Sequence, residues 1–191
     1  MSNPFSESDL IAVVQRTLVS VLGCTPGDVA ADVAIANELD ADSLDFVELR
    51  FNLEKQLGIV LPQKSVLDHL VAVLGDESQV YDKGRLTELA AYALRESFFA
   101  YRVDQVAAGM QPYEVMGCAT VRNWANLCKG ILDGLPERCP DCGHDKAEVS
   151  PSGRPICAAC SSPLKARTGD DALAASIPGI VSRWSETRVA A

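Results

Sequence analysis

Two sets of residues in this chain have the type and spacing to do chemistry. The first is four cysteines in two C-x-x-C pairs, Cys139-Pro140-Asp141-Cys142 and Cys157-Ala158-Ala159-Cys160, with 14 residues between them. Thiolates at that spacing can hold one metal ion from a tight turn, and four of them suit tetrahedral zinc. Disulfides and a redox pair are the alternatives. A reducing cytosol disfavours structural disulfides, and redox C-x-x-C motifs come singly, next to a βαβ pattern. Four thiolates complete a zinc shell, which leaves His144 outside it and makes the metal structural, since catalysis needs an open position. The second set is Ser43, surrounded in sequence by Glu38, Asp40, Asp42, Asp45 and Glu48. A serine opening an apolar-periodic run has the character of a helix N-cap, its hydroxyl satisfying free backbone N–H groups.

Ser43 must be positioned by a loop that turns into a helix. From Leu44 onward the apolar residues split into two stripes. Phe46, Leu49, Leu53 and Leu57 follow helical spacing and face a core. Leu44, Val47 and Phe51 form a second stripe flanked by Asp45 and Glu48, which a helix keeps for a wide buried face or for a partner. Gly58 ends this helix. Before it, Ser8–Leu22 reads as a helix with Ile11, Val14, Leu18, Val21 and Leu22 inward, Ser6 or Ser8 as its cap and Gly23 as its stop. Cys24 to Asp40 reads as a long loop whose Val29, Val33, Ile35 and Leu39 tuck onto the helices, with Cys24 a small core residue. After it come a short helix over Val66–Leu74, a polar turn over Gly75–Gly84, and a closing helix over Thr87–Phe98. His69 stands alone, as a surface or satisfied core histidine does.

The run Asp42-Ser43-Leu44-Asp45, followed by Val47-Glu48-Leu49 and Gly58-Ile59-Val60-Leu61-Pro62 with Leu39 upstream, resembles an acyl carrier protein. The similarity spans residues 6–98, about half of the chain. It implies a mostly α fold built on a four-helix acyl-carrier-like bundle. It implies that Ser43 carries 4′-phosphopantetheine as a phosphodiester, with an acyl group held as a thioester on the cofactor's thiol. A phosphate ester at a helix start would meet free N–H groups and the positive end of the macrodipole, worth about 0.3–1 kcal/mol when exposed. The partners implied are a phosphopantetheinyl transferase using coenzyme A, then acyl ligases, synthases or acyltransferases. Leu44, Val47 and Phe51 would give them apolar contact, and Asp42, Asp45 and Glu48 would attract their basic patches. A carrier of this kind catalyses nothing itself. Arg50 departs from the family, standing where an aliphatic residue is common. Its stem can cover apolar surface while the guanidinium reaches water.

Past residue 98 the resemblance stops. Residues 99–136 read as a helical connector: Tyr101–Ala108 extends the preceding helix, Gly109-Met110-Gln111-Pro112 breaks it, and Tyr113–Leu132 is helical again, with Cys118 and Cys128 in the core. Residues 137–168 around the four cysteines resemble a zinc ribbon, with Val149–Ile156 folding as a hairpin about Pro151-Ser152-Gly153. Ser161 stands where a glycine usually follows the second pair. Too little apolar material lies between Cys139 and Pro163 to fold without metal. In the tail, residues 169–191, Asp171–Arg188 reads as an amphipathic segment broken at Pro178-Gly179, anchored by Trp184, or as a frayed end.

Charge divides along the same line. Residues 1–100 hold 7 Lys+Arg against 16 Asp+Glu, whereas residues 101–191 hold 10 of each. The acidic front half argues against nucleic acid, and the ribbon lacks a basic, aromatic-laced face. No apolar run of about 18 residues indicates a membrane span, and Met1–Leu10 lacks the pattern of a signal peptide, so the expected location is the cytoplasm. Fatty acid, polyketide and related lipid systems all use such carriers. Two competing readings are a non-carrier interaction or regulatory module, whose ribbon binds protein or nucleic acid, and a metal-dependent enzyme at the ribbon.

Overall fold

The structure, a computed structural model, describes residues 1–189; Ala190 and Ala191, the end of the predicted tail, lie outside the described residues. The chain is mostly α, with eight α-helices and two small antiparallel strand pairs among the described residues. Helix α1, Glu7–Leu22, starts one residue before the predicted Ser8 because Ser6 and Asp9 cap each other: Asp9 N donates to Ser6 Oγ at 3.2 Å and Ser6 N to Asp9 Oδ2 at 2.9 Å. The predicted loop after it contains a short helix, α2, Ile35–Leu39, with Ile35 fully buried. Helix α3, Ser43–Leu57, runs to Gly58, whose left-handed φ of 68° ends it. Helix α4 is Val66–Leu74, capped reciprocally by Ser65 and Asp68. The polar stretch that follows forms a 3-10 turn, Glu77–Gln79, and a minimal hairpin of β1, Tyr81–Asp82, with β2, Arg85–Leu86.

Helix α5, Glu88–Glu96, does not continue into Tyr101–Ala108 as the sequence reading expected. Ser97 turns extended and its Oγ donates back to Leu94 O at 2.7 Å, Ala100 adopts φ 48°, and Arg102 N donates to the Gln105 side chain. These local bonds offer the backbone an alternative to helix. The helix expected over Tyr113–Leu132 is two, α6, Pro112–Gly117, and α7, Val121–Leu132. They part where Thr120 bridges Ala34 and Ile35 N donates to Ala119 O at 3.0 Å. Asn123 then locks the junction from within, accepting from Thr120 N and Gln105 Nε2 and donating to Phe99 O.

Both α7 and the last helix, α8, Gly169–Val189, join the same core as the front half. Leu18 of α1, Leu53 of α3, Leu70 of α4, Leu127 of α7 and Leu173 of α8 all belong to one buried cluster. Helix α7 packs on α1, and α8 packs against α4 and α5. The predicted break at Pro178 is absent: α8 runs through it. An interior proline costs about 3 kcal/mol, and burial of Leu173, Ile177 and Ile180 offsets it. Trp184 packs on Tyr92 with ring centroids 5.1 Å apart.

A second, small core holds Leu135, Cys139, Cys157 and Leu164. Beside it β3, Ala147–Val149, pairs antiparallel with β4, Pro155–Cys157, so that Ala147 faces Cys157 and Val149 faces Pro155. The expected turn at 151–153 is present, closed by Ser150 N donating to Arg154 O at 2.8 Å, with Gly153 at φ 83°. Among the described residues no helix is long and apolar enough to cross a membrane.

Candidate functional site

The start of α3 is built by Asp42, not by the serine. Asp42 Oδ1 accepts from Leu44 N at 2.7 Å and Asp45 N at 3.1 Å, while Asp42 N donates to Asp45 Oδ2 at 2.8 Å. The sequence reading gave the N-cap to Ser43; an aspartate one residue earlier satisfies the same N–H groups with a charged acceptor. Ser43 is therefore the first helical residue, exposed, and among the described residues its hydroxyl takes no hydrogen-bond partner. Two of the N–H groups expected to meet a phosphate here already serve Asp42, which leaves the macrodipole as the remaining attraction. Of the other carboxylates, Glu38 is engaged elsewhere, its Oε1 accepting from Ala34 N at 2.9 Å at the start of α2.

The predicted stripes on α3 separate cleanly. Leu49, Leu53 and Leu57 are buried, whereas Leu44, Val47 and Phe51 are 74%, 65% and 63% exposed. Asp42 and Glu48 are exposed and Asp45 half-buried around them. Three large apolar side chains held in water beside carboxylates form an apolar surface with an acidic surround, the form that meets a partner with a basic rim. Phe46, expected in the core, is half-buried and stacks on Trp124 of α7 at 5.8 Å. Arg50 is half-buried too, reaching Leu61 O at 3.4 Å. Both line a cavity of about 400 Å³ between α3, the 61–67 segment and residues 99–127.

The four cysteines come together. Their Sγ atoms all lie within 4.8 Å of one another, with Cys139 to Cys160 at 3.7 Å and Cys142 to Cys157 at 3.5 Å. A tetrahedron of thiolates about 2.3 Å from zinc has edges of about 3.8 Å, so the set fits that ion. Two matching turns hold it. Gly143 N donates to Cys139 O and Ser161 N to Cys157 O, both at 2.9 Å; Cys139 N donates to His144 O and Cys157 N to Ser162 O. Gly143 and Ser161 occupy the same left-handed position, φ 75° and 59°. Serine there is strained where glycine is free. The hydroxyl and the backbone of Ser162 lower the Cys160 thiol, while hydrogen bonding within the cluster raises that of Cys142, so the four sulfurs share their protons as one coupled set. His144 contributes its backbone carbonyl.

Cys118, Cys128 and His69 are packed into the helical body. Cys128 is fully buried, which pushes its thiol up to about 12. Cys118 is half-buried. His69 is 7% exposed, with Nε2 2.9 Å from Asp170 Oδ1 at the start of α8. Two features carried no local signal in the sequence. Arg154 of the ribbon hairpin reaches α3 across a separation of 99 residues, and residues 99–127 supply one wall of the cavity beside Phe46. Both depend on long-range packing.

A family described as the phosphopantetheine attachment site matches residues 12–71. The acyl carrier protein of Zymomonas mobilis is 34% identical over 59 residues, which cover 31% of this chain and 76% of that relative. No solved structure matches the chain.

Proposed function

This chain belongs to the acyl carrier protein family, and from that premise we propose that Ser43 is the point at which 4′-phosphopantetheine is attached. The domain carries and does not catalyse. The observation that supports Ser43 is its placement: first residue of α3, exposed, with its hydroxyl released from capping duty by Asp42. In the loading step Ser43 Oγ would bond to the coenzyme A phosphorus that bears the pantetheine arm, the bridging P–O bond of the pyrophosphate breaks, adenosine 3′,5′-bisphosphate leaves, and the serine proton passes to a base of the transferase. When attached, the group supplies a thiol that holds an acyl chain as a thioester. The chain's own residues do the rest. Asp42 and Asp45 fix the helix start, and Leu44, Val47, Phe51 and Glu48 present the face that a phosphopantetheinyl transferase, and then a synthase, ligase or acyltransferase with a basic patch, would engage.

Within this reading the cargo belongs to fatty acid, polyketide or related lipid synthesis, and the chain works in the cytoplasm. The functional division follows residues 6–98 as the carrier body, 99–136 as the helical connector, 137–168 as the ribbon and 169–191 as the C-terminal tail, of which α8, Gly169–Val189, braces the carrier body. Cys139, Cys142, Cys157 and Cys160 could hold a zinc ion, and the ion's role is structural, since four thiolates leave no open position.

Incubation of the chain with coenzyme A and a broad-specificity transferase tests the attachment. The expected result is a mass gain of one phosphopantetheine in the unaltered chain and none in Ser43→Ala. An unaltered chain that gains nothing, or a Ser43→Ala chain that still gains it, rejects the assignment.

A further inference from the structure

Helix α6 leaves two large side chains in water beside the carrier helix. Tyr113 and Met116 are 64% and 55% exposed, although Val115 between them in sequence is buried. Three residues apart, they share one face of α6. The helix is firmly seated. Gln111 and Glu114 cap its start, with Gln111 N donating to Glu114 Oε2 at 2.6 Å, and Gly117 lies so close to α2 that a Cβ there would come within 2.7 Å of Asn37 Oδ1. Just past α6, Ile35 N donates to Ala119 O at 3.0 Å. Helix α2 leads through residues 40–42 into α3, so α6 is fixed to the segment that delivers Ser43. Pro112 and Met116 also line the cavity that Phe46 and Arg50 of α3 line. Around α3, at about 3.6 residues per turn, Ser43 falls between Phe46 on the cavity side and Val47 on the outer stripe. Ser43 thus stands between two exposed apolar surfaces: Leu44, Val47 and Phe51 on α3, and Tyr113 and Met116 on α6.

Charge selects what can cover them. Residues 31–49, which run through Ser43, hold six carboxylates and no lysine or arginine. Glu114 adds an exposed carboxylate on α6. Of the cations in the cavity lining and the 101–117 stretch, Arg50 pairs with Glu54, and Arg102 with Asp104 and Asp32, which leaves Lys64 to set against that acidic field. A second copy of this chain would bring the same carboxylates face to face, and an anionic membrane or nucleic acid would be repelled. The fitting occupant is a protein with an apolar hollow ringed by arginine and lysine. Tyrosine, phenylalanine and methionine are the side chains enriched where such surfaces meet. A specific complex covers about 800 Å² and roughly 20–30 residues on each partner, more than the outer stripe of α3 supplies. We propose that a phosphopantetheinyl transferase docks across both surfaces, burying Tyr113 and Met116 of α6 together with Leu44, Val47 and Phe51. The proposal rests on Ser43 being the attachment site. The transferase is the partner that must bring its reacting centre to the serine hydroxyl itself; later enzymes meet the end of a flexible arm and need not cover both flanks. Helix α6 lies outside the residues that match the family, so these two contacts are this chain's own addition.

The experiment loads the full chain with a broad-specificity transferase and coenzyme A, and compares the unaltered chain with Tyr113→Ser, Met116→Ser and the double variant. Both side chains are exposed, so melting temperatures should stay within about 2 °C. The double variant should lose about tenfold in kcat/KM, the scale of one apolar anchor. The loss should lie in KM with kcat unchanged, as when binding common to ground and transition states is removed. Val149→Ser, the same kind of change on an exposed ribbon strand, should load as the unaltered chain does. A double variant loaded at the unaltered rate, or a loss that Val149→Ser matches, overturns the proposal. A second arm separates it from the attachment site. The transferase is titrated into Ser43→Ala, where affinity about tenfold weaker once Tyr113→Ser and Met116→Ser are added sustains the docking assignment even if Ser43 is never loaded. Equal affinity, or no binding, rejects it. Sedimentation of the unaltered chain tests the other occupant: a monomer is expected, and a dimer that the double variant dissociates would give α6 to a second copy and overturn the proposal.

Discussion

Arg154 donates from Nε and Nη2 to the carbonyl of Lys55, at 3.1 and 2.7 Å, and so closes the last turn of the helix that Ser43 begins. The final carbonyls of a helix lack internal partners. Glu54 O is satisfied by Gly58 N, and the ribbon's arginine satisfies the next one. A cation there also complements the negative end of the helix dipole. The ribbon is thereby tied to the carrier helix at the end opposite its serine, and the aliphatic stem of Arg154 lies against Gly58.

Replacement of Arg154 by alanine should therefore loosen α3 from its C-terminus. The residue is exposed, so the expected loss is modest, about 1 kcal/mol. Chemical denaturation would measure it. Amide exchange should rise at residues 55–59 and stay constant around Ser43. An unchanged exchange profile would show that the contact holds nothing.

Metal removal should act further out. The ribbon's own core is Leu135, Cys139, Cys157 and Leu164, too small to hold a fold unaided. Chelation, or Cys142→Ser, is expected to release one zinc per chain and to abolish exchange protection in β3 and β4. The eight-helix body should persist, because its core is a separate cluster. Metal analysis and amide exchange together check this. A chain purified without metal whose β3–β4 pairing is fully protected would remove zinc from the account.

Much of this arrangement was legible in the residues alone. The spacing of Leu49, Leu53 and Leu57 gave α3 and its inner face, the two C-x-x-C pairs gave the cluster of four thiols, and Gly23 and Gly58 gave the stops. These signals are local: a 3.6-residue period, a knuckle, a left-handed turn. The cap at Asp42 was missed because aspartate and serine compete for the same N–H groups, and only backbone geometry decides which wins. Residues 101–108 failed because side chains bonded back to their own backbone, out of sight of apolar periodicity. The course of α8 through Pro178 was hidden because its support comes from burying Leu173 and Ile177 against elements a hundred residues away.

Acid should loosen the start of α8. Asp170 accepts from Gln63 N, Lys64 N and His69. Burial alone would raise its carboxyl, but those bonds outweigh it and hold it below its ordinary value of 3.8. A carboxylate depressed in the folded state contributes stability that is fully present above its unfolded value and lost as pH falls through the folded one. The loss therefore falls below about pH 3.8. Asp170→Asn should be less stable than the unaltered chain at pH 6, and the difference should shrink below pH 3.8. Denaturation midpoints across that range measure it; a constant difference would mean that Asp170 contributes only shape.

The outer face of α3 should separate folding from recognition. Leu44 and Phe51 are 74% and 63% exposed, so their removal empties no core. Leu44→Ser and Phe51→Ser are each expected to change stability by no more than about 0.5 kcal/mol. Leu44 nonetheless follows Ser43 directly and Phe51 lies three residues beyond Glu48 on the same helix, on the face that a transferase would meet if Ser43 is its target. An apolar anchor buried on docking is worth more than about 1 kcal/mol, so loading efficiency, kcat/KM for the transferase, should drop on the order of tenfold. Glu48→Gln should act differently: a rim charge steers encounter, so its effect should shrink as salt rises, whereas the effects of Leu44→Ser and Phe51→Ser should not. Transferase kinetics at two ionic strengths distinguish the two, and loading rates unaffected by all three substitutions would move the docking face off this helix.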